Sequence, residues 1–426
     1  MTPNHEEPEP SLTLPIERTD LPNGLAVVTE SIPGSRSASF GCWVRVGGRD
    51  EPEPVAGASH FLEHLLFKGT EAHTGKEISE AIERVGGEIN AHTAHEHTAF
   101  YARVPATATD VGLDLLSEVV ASPAFTDADV DSERQVILEE LHLAEDEGDD
   151  KVLSLAHEAL WGDHPLGREV LGRVDSIEAM SRTEISSFFE GYYQPENLVL
   201  VAAGAVDHEA VVAAGERFAP RSGASTPPST RSAPNSEPSS LRTVLHRPND
   251  VAHLALAWPG LAADHPDRYA LSVANQIFGG GLSSRLFQQV REERGLAYSV
   301  FSSVSAYSDA GSLVAYAGTS PDRAAEVVEL IRSLAATLVT NGVTEREWAV
   351  ARGYLEGAAL LSLEDTSSVM ARLGNHMCAR RTVTPIDEQL ERLRRVTVDD
   401  VDRVLRTHLT VEPVICAVGP LDEIGV

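Results

Sequence analysis

One short segment, residues 57–70, constrains this chain more than any other, because it places metal-binding side chains on a helix. Within it, His60-Phe-Leu-Glu63-His64 spaces two imidazoles one helical turn apart. At about 100° per residue, both histidines and Glu63 share one helix face, while the intervening apolar residues face a core. Two such histidines can bind one Zn²⁺, and a carboxylate beside them that does not bind the metal can act as a base. The segment predicts a helix that holds a catalytic zinc ion.

A third metal ligand is expected on a second helix, for which residues 126–140 are the candidate. Thr126 followed by Asp129 is typical of a helix N-terminus. Glu133 and Glu140 are two helical turns apart, so their carboxylates lie on one face. Taken alone, this pattern also fits a solvated acidic face, which most of the 65 acidic residues must form.

Together the two motifs resemble those of the pitrilysin family of inverzincin zinc peptidases, most closely mitochondrial processing peptidase and its bacterial relatives. The first motif reads His-Phe-Leu-Glu-His-x-x-Phe-Lys-Gly-Thr, and Glu-Arg-x-Val-Ile-x-x-Glu follows about seventy residues later. The resemblance extends from about Leu21 to about Gly419. It implies one Zn²⁺ per chain, and it assigns the ligands to His60, His64 and Glu140, the general base to Glu63, and a supporting acidic position to Glu133.

The same resemblance implies roles for two further regions. Arg291 and Tyr298 match a pair that, in relatives, reaches across to the zinc site, contacts the substrate backbone and stabilises the oxyanion. Asn90, Ala91 and Thr93 match an edge strand on which an unfolded peptide lies as an added strand. Binding through main-chain hydrogen bonds would accept many sequences, provided that the substrate is extended.

Three more histidines, His92, His95 and His97, occur in the same region, where a Gly-Gly turn introduces one or two predicted strands. In a strand His95 and His97 would share a face, so a second metal cluster is one interpretation. No carboxylate or cysteine motif completes such a set, and pocket-lining or exposed imidazoles are the alternative. Relatives commonly have an aromatic residue at the position of His92, which leaves the substrate preference near the scissile bond open.

The chain also divides into two halves that look like diverged copies of one unit. Aligning Phe67 with Phe278, and Thr126 with Thr344, brings the halves into register. In this register the second copy lacks every metal-binding side chain, and the five site positions are occupied by Leu271, Ala274, Asn275, Ala351 and Ala358. The first half is therefore expected to cleave the substrate, and the second half to complete a substrate chamber.

The predicted fold is α+β, with two homologous mixed halves that form a clamshell. The predicted divisions are a disordered acidic tail at 1–15, a zinc-binding catalytic domain at 16–220, a linker at 221–240 and an inactive homologous domain at 241–426. The linker is rich in Pro and Ser and is expected to be flexible and exposed.

The composition argues against some classes of partner and bears on the expected cellular location. A net charge of −31 argues against nucleic acid, because phosphate contacts need clustered Lys and Arg. Three cysteines without paired spacing argue against a disulfide framework and a thiolate metal site. The apolar stretches are too short to span a bilayer, and the N-terminus lacks the pattern of a signal peptide, so a cytoplasmic protein is expected.

The predicted function is that of a zinc-dependent endopeptidase acting on extended peptides or unfolded polypeptide segments, with Glu63 activating water at the metal. Relatives of this length often associate in pairs, so a homodimer or a heterodimer with an inactive paralogue is expected. Some relatives bind polypeptide without cutting it, and such a non-catalytic or structural subunit is the main alternative. Those relatives usually lose one or more zinc residues, all of which are present here. A metal-dependent hydrolase of non-peptide substrates is a third interpretation.

Overall fold

The structure is a computed structural model that describes residues 12, 14–218, 226, 231–235 and 237–424. Most of the predicted acidic tail at 1–15 lies outside the described residues, and so does much of the predicted linker. No helix of the described chain has both the length and the apolar character needed to cross a membrane.

Within the described residues, each half forms one sheet with helices around it. The first-half strands are β1 (Ile16–Asp20), β2 (Ala26–Ser31), β3 (Ser37–Val44), β4 (Glu88–Thr93), β5 (Thr98–Pro105) and β6 (Leu198–Gly204). The first-half helices are α1 (Ala58–Leu65), α2 (Gly75–Arg84), α3 (Thr109–Ala121), α4 (Asp127–Asp146), α5 (Gly148–Trp161), α6 (Val174–Ala179), α7 (Arg182–Tyr192) and α8 (His208–Gly215).

The second half repeats this plan. Its strands are β7 (Arg242–His246), β8 (Ala252–Pro259), β9 (Ala297–Ala306), β10 (Gly311–Thr319) and β11 (Val414–Gly419). Its helices are α9 (Arg268–Asn275), α10 (Ala324–Asn341), α11 (Glu345–Ser362), α12 (Thr366–Arg380), α13 (Ile386–Arg394) and α14 (Val398–Leu409).

The strand order confirms the predicted duplication. The first sheet runs β1-β2-β6-β3-β5-β4 and the second runs β7-β11-β8-β10-β9. Apart from β1, the two orders correspond strand by strand. The corresponding pairs β2/β6 and β7/β11 are parallel, and the other pairings are antiparallel. The helices follow the same correspondence, since Thr126 caps α4 and Thr344 caps α11.

The two halves exchange one helix each. Helix α5 belongs to the first half in sequence, yet its apolar face packs on strands β8 and β11 of the second sheet. Its counterpart α12 packs on β3 and β6 of the first sheet, with Val369, Leu373 and Met377 buried there. The division of the sequence at residues 221–240 therefore does not coincide with the division of the packing, because each sheet covers one face with a helix from the other half.

A Gly→Ala substitution on the exchanged helix α12 should destabilise the protein, whereas one at an open position of α11 should stabilise it. A Cβ on Gly374 of α12 would lie 2.3 Å from the indole of Trp43, which is 1% exposed. A Cβ on Gly353 of α11 would meet nothing within 4 Å. Gly374→Ala should lower the free energy of unfolding by about 1–3 kcal/mol through overpacking. Gly353→Ala should raise the free energy of unfolding by about 0.5–1 kcal/mol, because glycine is less favourable than alanine inside a helix. Urea denaturation of both variants measures this, and equal effects would contradict the packing of α12 on the first sheet.

The described part of the predicted linker is held to both halves. The guanidinium of Arg231 pairs with Asp50 at 2.8 Å, and the side chain of Asp50 is 0% exposed. The Ser232 carbonyl accepts a hydrogen bond from Arg49, which also pairs with Asp309 of the second half. The expectation of an exposed, flexible linker is therefore wrong at Arg231, because a buried carboxylate requires a cationic partner there.

Candidate metal centre

The N-terminus of helix α1 is shaped by a glycine and by a buried carboxylate. Gly57 has φ +92°, and a Cβ there would come within 2.8 Å of the Leu171 carbonyl. The two carboxylate oxygens of Glu51 accept hydrogen bonds from the Gly57 and Ser59 N–H groups at 2.6 and 2.7 Å. These bonds satisfy N–H groups that a helix N-terminus leaves free. The start of the helix that carries His60 is thereby fixed.

Helices α1 and α4 bring the three predicted ligands together. His60 Nε2 lies 3.2 Å from His64 Nε2, and each of these nitrogens lies 3.4 Å from Glu140 Oε2. Among the described residues, these side chains form the one group of three or more His, Cys, Asp or Glu residues that could hold a metal ion. The helical spacing predicted from each motif places its side chains on one helix face, and the packing of α1 against α4 brings the two faces together.

The three donor atoms fit zinc. With metal–ligand distances of about 2.0–2.1 Å, the donors of a tetrahedral site lie roughly 3.3–3.4 Å apart. The observed separations of 3.2, 3.4 and 3.4 Å match that spacing. Two imidazoles and one carboxylate are also the kind of three-ligand set that catalytic zinc sites use. His60, His64 and Glu140 can therefore hold Zn²⁺ and leave a fourth position open.

The neutral state of the His60 ring and the contact made by His64 Nδ1 both suit metal binding. Burial, together with the neighbouring His64, lowers the pKa of His60 to about 4, so this ring is neutral at pH 7. His64 Nδ1 lies 3.1 Å from Glu133 Oε2, and a proton on Nδ1 leaves the lone pair on Nε2 free. Lys68 in turn pairs with the other oxygen of Glu133 at 2.7 Å. Glu133 thus orients the candidate ligand His64, and it is not a member of the candidate group itself.

Glu63 lies beside the ligands and contacts the edge strand. Its Oε2 accepts a hydrogen bond of 2.6 Å from the Thr93 hydroxyl at the end of β4. Burial raises the pKa of Glu63, while this hydrogen bond opposes the rise. A carboxylate with a raised pKa next to a metal site is suited to accept and return a proton.

A cavity of about 670 Å³ opens beside the cluster and the edge strand. Glu63, His64 and Glu133 line one side of it, and Phe67 and Asn90 contribute to the rest. Strand β4 is the last strand of its sheet, so one edge of its backbone has no strand partner among the described residues. Asn90, Ala91 and Thr93 all lie on this strand. The cavity therefore combines the candidate metal ligands with an open strand edge.

Arg291 and Tyr298 lie away from the cluster. The Arg291 guanidinium lies 5.4 Å from the centre of the Tyr298 ring and 3.6 Å from a carboxylate oxygen of Glu292. Tyr298 is 85% exposed on β9. Both residues line a separate cavity of about 830 Å³ in the second half. Within the described residues of one chain, neither makes a hydrogen bond or ion pair with the metal-site side chains.

The expectation that His95 and His97 share a strand face is wrong. Both lie in the turn that joins β4 to β5, where Ala94 N–H donates to the His97 carbonyl at 2.8 Å. His95 packs against Tyr307 of the second half, and His97 contacts His92 edge-on at 5.5 Å between ring centroids. The turn reverses the chain, so the period-2 rule that predicted a shared face does not apply.

Three contacts that position the site were not predicted from the sequence. Lys68 neutralises Glu133, Glu51 caps α1, and Thr93 reaches Glu63 through its hydroxyl. Lys68 stands one helical turn after His64, a spacing that the sequence displays. The roles of Glu51 and Thr93 depend on contacts between separate elements, for which the sequence has no local signal.

Two family models match consecutive parts of the chain. The model described as insulinase, peptidase family M16, matches residues 26–174, and the model described as the peptidase M16 inactive domain matches residues 179–355. The first match contains the candidate ligands and the second lies mostly in the half that lacks them. This division agrees with the predicted loss of metal-binding side chains from the second copy.

Several bacterial proteins are similar over nearly the whole chain. A protein of Streptomyces coelicolor named an uncharacterized zinc protease is 41% identical over 96% of this chain and 90% of its own length. YmxG of Bacillus subtilis, also named an uncharacterized zinc protease, is 33% identical over 95% of this chain and 98% of its own.

Two solved structures share the fold. A protease from Helicobacter pylori has a TM-score of 0.87 with 23% identity, covering 95% of this chain and 99% of that one. A Pseudomonas fluorescens structure titled as a peptidase M16 inactive domain has a TM-score of 0.88 with 22% identity, covering 97% and 100%. At these identities the two structures support the fold alone.

Proposed function

Because this chain belongs to the M16 (insulinase) family of peptidases, we propose that it is a zinc-dependent endopeptidase. Its substrates would be extended peptides or unfolded segments of polypeptides. The proposal rests above all on the convergence of His60, His64 and Glu140 at 3.2–3.4 Å beside the non-ligating carboxylate of Glu63. One Zn²⁺ per chain is the expected cofactor.

The chemistry is divided between the metal and the carboxylate. Zinc bound by His60, His64 and Glu140 would supply Lewis acidity that activates water and polarises the substrate carbonyl. Glu63 would accept the proton of the attacking water and then deliver a proton to the leaving amine. Glu133 and Lys68 would hold the His64 ring in its ligating orientation.

The substrate would bind as an added strand on β4. Its main chain would pair with the open edge at Asn90, Ala91 and Thr93, which brings the scissile bond alongside Glu63 and the metal ligands. Such pairing requires an extended substrate and gives little selectivity for the substrate's sequence. A folded protein would be a poor substrate, because it does not offer a free strand of this kind.

Arg291 and Tyr298 are proposed to contact the substrate backbone and to stabilise the oxyanion. Since these residues make no contact with the metal-site side chains within one chain, this role requires movement of the second half or association with another chain. A homodimer, or a heterodimer with an inactive paralogue, is therefore the proposed assembly. The proposed location is the cytoplasm.

Elemental analysis for zinc, combined with cleavage of a quenched fluorogenic peptide of roughly ten residues, tests the proposal. One zinc per chain and cleavage that a chelator abolishes are expected. Cleavage that survives the removal of zinc would overturn the metal mechanism. A chain that binds zinc and unfolded polypeptide but cuts no peptide, alone or with a partner, would favour a non-catalytic binding subunit.

A further inference from the structure

The Thr93 side chain reaches the predicted general base from a different element. Glu63 lies on α1, and Thr93 is the last residue of strand β4. The Thr93 hydroxyl donates to Glu63 Oε2 at 2.6 Å, a short distance that is typical of a hydroxyl bonded to a charged acceptor. The Thr93 hydroxyl bonds Oε2 alone, and the Thr93 backbone N–H also interacts with this carboxylate. Oε1 accepts no hydrogen bond from another side chain of the described residues.

The position of Thr93 is itself fixed by the hairpin. Thr93 pairs with Thr98 of β5, which is 0% exposed and donates its hydroxyl to the Val46 carbonyl at 3.1 Å. The next residue, Ala94, accepts a hydrogen bond of 3.2 Å from the Gly48 N–H. A threonine also has few χ1 rotamers because its Cβ is branched. The hydroxyl therefore approaches Glu63 from a rigid support.

We propose that Thr93 is a positioning residue for catalysis, which holds the Glu63 carboxylate through Oε2 and reserves Oε1 for proton transfer. This inference rests on the proposed peptidase function, and it goes beyond the substrate contact expected of Thr93 from its place on the edge strand. A carboxylate free to rotate about its side-chain torsions would spend only part of its time in the orientation for proton transfer. One hydrogen bond from a rigid strand restricts that rotation without neutralising the base.

The same contact joins substrate binding to the base. The backbone of β4 is the proposed docking edge for the peptide, and the side chain of its last residue holds Glu63. A peptide that pairs fully along β4 would further restrain Thr93, and through it the carboxylate. Substrates that pair with this end of the strand are therefore expected to have a higher kcat as well as a lower KM.

Thr93→Val and Thr93→Ser test the proposal, because valine keeps the shape and removes the hydroxyl, whereas serine keeps the hydroxyl. Thr93→Val should lower kcat on the order of 10-fold, as expected when one hydrogen bond to a charged group is lost. Its KM and zinc content should stay near the wild-type values. Thr93→Ser should recover most of the lost kcat. An unchanged kcat, a change in KM alone, or equal losses in both variants would overturn the proposal.

Crystal structures of the metal-free proteins give a second readout that does not depend on activity. The Glu63 carboxylate should occupy one position in the wild type and in Thr93→Ser, and should be displaced or occupy several rotamers in Thr93→Val. An identical, single position in Thr93→Val would overturn the positioning role. If the wild-type protein cleaves no peptide, the proposed function fails, while these structures still decide whether Thr93 positions Glu63.

Discussion

Replacing Glu63 with glutamine should lower kcat/KM for peptide cleavage by at least ~10²-fold, the low end of what a general base contributes, and leave zinc bound. Glutamine has nearly the same shape, and its side-chain oxygen can still accept the Thr93 hydroxyl, but it cannot take up the proton of water. Zinc should remain because the ligand atoms come from His60, His64 and Glu140. Steady-state kinetics on a fluorogenic peptide and elemental analysis measure the two quantities.

A matched control for this substitution is Glu83→Gln, which makes the same chemical change at an exposed site on helix α2. Its activity should equal that of the wild type. Cleavage by Glu63→Gln at the wild-type rate would show that another group is the base. Loss of zinc from Glu63→Gln would show instead that this residue helps to hold the metal.

Replacing Glu140 with glutamine should weaken zinc binding by ~10²-fold or more and abolish cleavage in parallel. Loss of a residue that merely orients a ligand costs about 10–100-fold in metal affinity, so the loss of a charged ligand should cost at least the upper end of that range. The carboxylate lies 3.4 Å from both imidazole nitrogens, and a neutral amide there cannot offset the metal charge. Competition with a chromogenic chelator measures the dissociation constant.

Substitutions of two neighbouring glutamates on helix α4 serve as comparisons for this measurement. Glu133→Gln should weaken zinc binding about 10–100-fold, since Glu133 bonds the His64 ring and does not belong to the ligand group. Glu139→Gln changes an exposed carboxylate next in sequence to Glu140 and should leave both affinity and activity unchanged. If Glu139→Gln and Glu140→Gln bound zinc equally well, the assignment of the third ligand would be wrong.

Much of the candidate metal centre could be predicted because its residues are spaced by about one or two helical turns. His60, Glu63 and His64 share a face in any α-helix, and so do Glu133 and Glu140. Thr126 and Thr344 cap corresponding helices, which agrees with the second landmark of the predicted alignment. The pairing of α1 with α4 required the family resemblance, because the two motifs are about seventy residues apart and no local rule joins them.

The exchange of α5 and α12 could not be predicted in the same way. Each helix has an apolar stripe, which predicts that one face is buried but not which sheet it is buried against. The choice depends on complementary surfaces, such as the Trp43 indole against Gly374, that exist only after both sheets have formed. The path of the linker near Arg231 is likewise set by Asp50, a buried charge whose partner comes from a distant segment.

The sequence by itself predicted the helix face shared by His60, Glu63 and His64, and the duplication with its loss of metal-binding residues from the second copy, because these follow from residue types at regular spacings. The choice of Glu140 as third candidate ligand and of Glu63 as candidate base came from the family resemblance. The tertiary structure alone decided that Thr93 holds Glu63, that Lys68 pairs with Glu133, and that Arg291 and Tyr298 line a cavity separate from the candidate metal site. Contacts of this kind depend on how strands, helices and halves pack in three dimensions, and short-range periodicity does not contain that information.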